Sequence, residues 1–333
     1  MTRVAVLGSG SWGTTVAVVL ADAGAKVRLW GRDAAVCAEV TERHTNTRYL
    51  GDTPLPESIE ASTDHGAVLE GAEVVVLAVP SQTLRDNLRA WRPALPPDAV
   101  LVSLMKGVEA GTHLRMSQVV GEVAAVAPER VAVVSGPNLA REIAVRQPTA
   151  TVVACEDEDA AELVAQSCSA PYFRPYTNTD VVGVELGGAV KNVIALAVGI
   201  AEGMGLGDNT KATIITRGLA ETARLGVALG ADPTTLAGLA GLGDLVATCA
   251  SPLSRNRTLG VALGQGLTLD QAVAAARHTA EAVTSCRPIL ELARAHGVEM
   301  PITEQVVELV HGRATVHEMG ARLLGRPRKP EGV

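Results

Sequence analysis

Apolar positions along the chain fall into two regimes. Up to about residue 183, short β-branched and aliphatic runs recur: Val4–Leu7, Lys26–Trp30, Val74–Val79, Val100–Leu104, Val131–Ser135 and Ala150–Ala154. Several of them are near-continuous rather than alternating, and stretches of helical period such as Thr14–Ala23 and Gln82–Trp91 lie between them. Strands apolar on both sides and joined by helices predict a doubly wound parallel sheet covered on both faces. From about Val184 the strand signals fade, and Gly187–Gly203, Thr210–Leu229, Thr268–Ala276 and Pro288–His296 read as helices. The pattern predicts an α/β domain over residues 1–183 and an all-helical domain over residues 184–333, with the turn-rich Tyr176–Asp180 just before the boundary. The polar tail Arg326–Val333 is expected to fray.

The first predicted strand runs directly into Gly8-Ser9-Gly10-Ser11-Trp12-Gly13, which opens an apolar helix. In a Rossmann-type βαβ unit, glycine at the first position allows the tight turn. Glycine at the second lets the backbone approach a pyrophosphate, and at the third it lets helix and strand pack closely. The helix N-terminus then offers unpaired N–H groups to the phosphates. A dinucleotide site is therefore expected at this junction. The end of the second strand bears on which dinucleotide. An NAD site places Asp or Glu there for the ribose 2′-hydroxyl, but this chain reads Leu29-Trp30-Gly31-Arg32-Asp33. Arg32 suits a 2′-phosphate, so NADP(H) is the preferred expectation, with NAD(H) open because Asp33 stands next to it. Val79-Pro80-Ser81, at another strand end, offers a further cofactor contact or simply a proline-terminated strand.

Composition narrows the remaining classes. Among 333 residues, 29 Lys and Arg stand against 36 Asp and Glu, a net charge of −7, and aromatics are 2%. Nucleic-acid binding, which needs a basic face or stacking platforms, is not expected. Five scattered cysteines without a C-x-x-C pair read as small buried hydrophobes of a reducing, cytoplasmic protein, and no metal site is expected. The apolar run Val193–Ala201 is too short to span a bilayer, so no membrane insertion is expected.

Candidate chemistry centres on two lysines. Lys106 ends the buried strand after Leu101–Met105, on the sheet edge where ligands bind. Lys191 sits among Val, Ile and Leu in a helix, with Gly187 and Gly188 on its own face one turn before. Those glycines either pack a helix closely or make room for a ligand. A buried lysine near another cation has a lowered pKa and is poised to exchange a proton. Reducing a ketone with a nicotinamide needs such a donor, and the reverse reaction needs the corresponding base. Asp244, after the glycine-rich Gly238–Gly243, either caps a helix or serves as a carboxylate that orients Lys191 or accepts a substrate hydroxyl. The loop Ser251–Arg257 suits a small phosphate, through Ser254, Asn256 and the fork of Arg255. Ser135–Ala140 offers backbone N–H groups to the same ligand.

Seven segments together resemble the bacterial NAD(P)-dependent glycerol-3-phosphate dehydrogenases: Gly8–Gly13, Ser103–Glu109, Ser135–Ala140, Gly187–Asn192, Gly241–Leu245, Ser254–Asn256 and Ala280–Val283. They occur in the family's order across almost the whole chain. The resemblance implies reduction of dihydroxyacetone phosphate to sn-glycerol 3-phosphate for phospholipid synthesis. It implies that Lys191 is the proton donor and acceptor and that Lys106 bridges substrate and cofactor. Gly136, Asn138, Asp244, Ser254, Arg255 and Asn256 match substrate contacts. Ser11, Trp12, Arg32, Tyr49, Ala140, Arg255, Thr279 and Glu281 match cofactor contacts, beside Gly8, Gly10 and Gly13. Asn138 stands where the family commonly has Ser or Thr, and Ala282 where it has Gly. A related two-domain 3-hydroxyacid dehydrogenase and a catalytically silent NADP sensor are the alternatives. Apolar helices in the second half make a homodimer the default assembly.

Overall fold

A computed structural model of the chain describes residues 1–276 and 280–327. Among the described residues eight strands build one sheet: β1 (Arg3–Leu7), β2 (Lys26–Trp30), β3 (Glu60–Ser62), β4 (Val74–Leu77), β5 (Val100–Ser103), β6 (Val131–Ser135), β7 (Thr149–Ala154) and β8 (Phe173–Asn178). Their spatial order is β3-β2-β1-β4-β5-β6-β7-β8. β3-β2-β1-β4-β5-β6 are all parallel, whereas β7 pairs with β6 antiparallel and β8 pairs with β7 parallel. The sheet is thus mixed, not uniformly parallel as expected. The reversal follows from the short link between β6 and β7, which carries one five-residue helix (Ala140–Ala144) and does not cross over to restart at the same edge.

The expected strands form where the runs are buried on both faces: β4, β5 and β6 contain no exposed residue. Two edge strands lie outside the expectation. β3 has only half-buried or exposed residues, and β8 carries Pro175 and alternates mostly between exposed and half-buried positions. Residues 176–178, expected to turn, complete β8. An edge strand buries little and tolerates proline, so its sequence lacks an apolar signature.

Most of the described residues after β8 are helical. Asp180 accepts from the Gly183 N–H at 2.8 Å and caps the helix Val181–Gly203, the core helix of the second half. By length and mean hydropathy (1.7) this helix is able to span a bilayer, unlike the shorter run read from sequence, but 94% of its apolar window is buried inside the protein. It packs against the helix Arg255–Gly264 through glycines on both sides. A Cβ on Gly199 would stand 2.1 Å from the Arg257 carbonyl oxygen, and one on Gly260 would stand 2.2 Å from that of Leu196. Gly203 and Gly264 repeat the arrangement one turn on. Missing side chains let the two backbones approach more closely than larger residues permit. The helix bearing Arg255 and Asn256 is thereby clamped to the helix bearing Lys191.

A buried ionic cluster ties this helix to the sheet-bearing half. Glu185, 2% exposed, accepts from Arg115 Nη1 at 2.7 Å, from the Ser117 N–H at 2.8 Å and from the Ser117 hydroxyl at 2.7 Å. The helix expected to start at Pro288 begins at Glu281 and runs through the proline to Ala295.

Candidate active site

Four residues distant in sequence meet where the end of β5 faces the core helix. Lys106 follows β5 by three residues, and its ammonium donates to the Gly136 carbonyl at 3.1 Å and to the Asp244 carboxylate. Lys191 projects from the core helix onto the other oxygen of Asp244 and onto the Thr248 hydroxyl at 2.7 Å. Asp244 is 1% exposed. It is the first residue of the helix Asp244–Ala250, preceded by a π-helical turn over Leu239–Gly243. Its carboxylate makes no backbone cap; both oxygens go to the two lysines. The geometry thus excludes the cap and places the carboxylate on the two lysines.

Two ammonium groups around one carboxylate leave a local excess of one positive charge. Burial pushes the Lys191 ammonium down to about 8, Asp244 opposes that shift, and Lys106 adds to it. The direction is that of a desolvated cation with a like-charged neighbour. Such a group exchanges protons near neutral pH, unlike an ordinary lysine near 10.4.

Gly187 and Gly188 make room, but for protein. A Cβ on Gly187 would stand 2.6 Å from the Ala240 carbonyl oxygen of the π-turn, and one on Gly188 would stand 2.4 Å from Ser135 Oγ and 3.4 Å from the Lys106 stem. The close-packing reading therefore holds for both, and Gly188 creates the passage along which Lys106 reaches Asp244.

Several site atoms are buried without a partner. Ser135 Oγ, at the end of β6, and Asn138 Oδ1, on the loop after it, are among them. Asn138 holds its position by donating from Nδ2 to Thr151 Oγ1 at 3.0 Å. Gly136 takes φ +151, and a Cβ there would stand 3.1 Å from Thr151 Cα. Ser254 Oγ accepts from the Arg257 N–H at 3.2 Å and caps the helix that Arg255 opens. Arg255 is exposed. Asn256 is committed at both ends of its amide, to Asn192 Oδ1 at 2.8 Å and to the Ala282 N–H at 3.0 Å. Its side chain acts as a brace between three helices.

Of the residues expected at the dinucleotide, Gly8–Gly13 follow β1 and Arg32 follows β2, whereas Tyr49, Lys106, Ala140, Arg255 and Glu281 come from other elements. Gly8 takes φ +134, and a Cβ there would stand 2.3 Å from the Ala78 carbonyl oxygen. A Cβ on Gly13 would collide with the Gly8 carbonyl at 1.9 Å, while Gly10 faces open space. Closed packing at the first and third glycines and an open second is the cradle a pyrophosphate requires. Ser11 begins the helix Ser11–Asp22, and Trp12 Nε1 is a buried donor without a partner. Ala140 accepts from Thr15 Oγ1 at 3.2 Å, which ties the loop after β6 to this helix. Ser81 donates to Glu281 at 3.0 Å across the two halves, and burial raises the Glu281 carboxyl above its ordinary value. Arg32 is exposed, and Tyr49, half-buried, packs on the sheet's core. Thr279 lies outside the described residues. The orphaned donor and the glycine cradle fit a dinucleotide.

Thr248 and Asn192 were not anticipated. Thr248 lies four residues after Asp244 on one helical face, a spacing visible once Asp244 is placed on a helix. Asn192 carries no such signal beyond its adjacency to Lys191. All five cysteines are buried and unpaired, as expected.

The family model described as NAD-dependent glycerol-3-phosphate dehydrogenase N-terminus matches residues 3–161, and its C-terminal counterpart matches residues 180–321. The chain is 61% identical over 330 residues to the glycerol-3-phosphate dehydrogenase [NAD(P)+] of Streptomyces griseus, covering 99% of this chain and 98% of that one. It is 60% identical over 332 residues to the enzyme of that name from Thermobifida fusca, covering 99% of each. The crystal structure of glycerol-3-phosphate dehydrogenase from Coxiella burnetii superposes with a TM-score of 0.93 at 38% identity, over 98% of this chain and 99% of that one. With both halves matched in order and the lysine–aspartate centre at their junction, the chain belongs to the NAD(P)-dependent glycerol-3-phosphate dehydrogenase family.

Proposed function

We propose that the protein reduces dihydroxyacetone phosphate to sn-glycerol 3-phosphate, and runs the reverse reaction, with NADP(H) preferred over NAD(H). The observation that carries this reading is the buried Lys191 ammonium, held on Asp244 and titrating near 8. In reduction, Lys191 donates a proton to the nascent alkoxide, and in oxidation the neutral amine removes the proton of the secondary hydroxyl. The bound nicotinamide supplies or accepts the hydride at the same carbon. Asp244 keeps Lys191 and Lys106 in one plane of contact, so that their positive excess faces the ketone oxygen. Lys106 bridges substrate and cofactor, and Arg255 grips the phosphate with Ser254, Asn256 and the loop Gly136–Asn138. Gly8, Gly10, Ser11, Trp12, Gly13, Arg32, Tyr49, Ala140, Arg255, Thr279 and Glu281 hold the dinucleotide.

In this reading residues 1–183 grip the nucleotide and residues 184–333 supply most of the substrate site. Relatives named for both nicotinamides, at about 60% identity over nearly the full length, support a dehydrogenase of this substrate. They do not favour a 3-hydroxyacid enzyme or a silent sensor. The product feeds glycerophospholipid synthesis. Five buried, unpaired thiols support a cytoplasmic setting, and exposed apolar side chains of the second half, Leu206, Val227, Leu242 and Val246 among them, support a homodimer.

The test is an initial-rate assay of NADPH oxidation with dihydroxyacetone phosphate and, separately, with 3-oxo acids. Turnover of the triose phosphate alone is expected. Lys191→Ala is expected to lower kcat by roughly 10²–10⁴-fold while NADPH still binds. Near-normal kcat in that variant removes the proposed role.

A further inference from the structure

The end of β2 carries an arrangement that goes beyond the reading of Arg32. The position where an NAD site places its acidic residue is Gly31, and no acidic side chain fits there. A Cβ on Gly31 would stand 2.4 Å from Ser9 Oγ and 3.0 Å from Cys37 Sγ. The nearest carboxylate along the chain is Asp33, and both of its oxygens are engaged. Oδ1 accepts from the Ala35 N–H at 3.0 Å, capping the helix Ala34–Arg43. Oδ2 accepts from Arg48 Nη1 at 3.0 Å. Arg48 in turn lies over the ring of its neighbour Tyr49, its guanidinium carbon 5.6 Å from the ring centroid. Arg48 belongs to the short helix Thr47–Leu50, which packs beside the glycine turn: Asn46, at its start, donates to the Ser9 carbonyl at 3.0 Å.

We propose that Arg48 is a positioning residue that sets nucleotide choice through Asp33. Held by Arg48 and by its own helix, Asp33 is neutralised and withdrawn from a ribose 2′-hydroxyl. With that charge cancelled, Arg32 stands beside no net negative group and is left to meet a 2′-phosphate. Preference for the phosphorylated nucleotide thus comes from two steps, a cation offered and an anion occupied. The second is invisible in the sequence of β2, because Arg48 lies 15 residues from Asp33. The inference rests on the dinucleotide reading of the glycine turn and adds to it a residue that reads the adenosine end without touching the nucleotide.

The test is a set of fluorescence titrations of the whole chain with NADPH and with NADH. Arg48→Ala is expected to tighten NADH and weaken NADPH, moving their affinity ratio by roughly tenfold, the size of one charge-assisted hydrogen bond. Arg48→Lys, which keeps the charge, is expected to stay near the parent ratio. Asp33→Asn keeps an oxygen for the cap, so in the intact chain it is expected to leave NADH affinity within about twofold, below the worth of one such bond. Introduced into Arg48→Ala, the same change is expected to abolish the gain in NADH. Thermal midpoints are expected to stay constant across the set, because an exposed ion pair contributes little to stability. Equal loss of both nucleotides in Arg48→Ala overturns the proposal, as does weakened NADH in Asp33→Asn alone. If the parent chain binds neither nucleotide, the dinucleotide reading itself fails, and that result is distinct from the other two.

Discussion

Raising the pH is expected to switch ketone reduction off at a break set by Lys191. The reducing direction needs the ammonium form. Burial lowers its pKa to about 8, so at pH 7 about nine-tenths of the molecules are competent, and at pH 9 about one-tenth. Above the break, kcat for dihydroxyacetone phosphate is expected to fall roughly tenfold per pH unit. The oxidation of glycerol 3-phosphate needs the neutral amine, so its kcat is expected to rise with pH and level off above the same value. The environment of Lys191 supplies a sharper form of the test. Asp244 raises its pKa and Lys106 lowers it. Asp244→Asn is therefore expected to move the break in residual activity to lower pH, and Lys106→Met to move it higher. The assay is kcat at saturating substrate and cofactor between pH 6 and pH 10.5, roughly the span between the shifted value and that of a solvated lysine. A reduction profile flat to the alkaline limit refutes the assignment. So does a break that both variants shift in the same direction.

Three further outcomes follow from the packing around this centre. Gly188→Ala places a methyl 2.4 Å from Ser135 Oγ and against the Lys106 stem; an overpacking cost of about 1–3 kcal/mol is expected in urea melts, together with a fall in kcat/KM. Glu185→Gln removes the carboxylate from Arg115 and Ser117 in a buried cluster and is expected to cost roughly 3 kcal/mol, part of which Arg115→Met in the same chain should restore. Glu221, 2% exposed, accepts from the Ile302 and Thr303 N–H groups, and burial raises its carboxyl to about 7 from 4.5. Because the folded value is the higher one, its contribution to stability is full below about pH 4.5 and lost as pH rises through about 7; urea midpoints at the two ends of that window are expected to differ less in Glu221→Gln than in the parent, and an unchanged difference counts against it.

How much was legible follows from where each signal comes from. Burial on both faces writes a strand into its own residues, so Val4–Leu7 or Val131–Ser135 can be read locally. Strand direction is not written that way. β6 and β7 both bury an apolar stretch, and the path of the link between them makes them antiparallel. Edge position erases the signal altogether, as in β8 with its Pro175 and Tyr176. Pro288 reads locally as the first turn of a helix, yet the helix begins at Glu281 and packing of its buried face carries it through the proline.

The same division runs through the site. Lys106 and Lys191 were legible because each breaks the pattern around it: a charge set at the end of a buried strand, or inside a buried helical face, needs a partner. The identity of the partner was legible only as an alternative, since Asp244 is 138 residues from one lysine and 53 from the other. What decides it is the π-turn at Leu239–Gly243. That turn starts the following helix at Asp244 and not one residue later, so the carboxylate points inward and makes no cap. Gly241 makes the turn possible, since a Cβ there would stand 2.0 Å from the Leu236 carbonyl oxygen. The glycines before the aspartate therefore aim it, as Gly187, one turn before Lys191, seats the helix against that same turn. The geometry of the lysine–aspartate centre is set by residues without side chains, which is why sequence displays the charged groups and structure is needed to show that they meet.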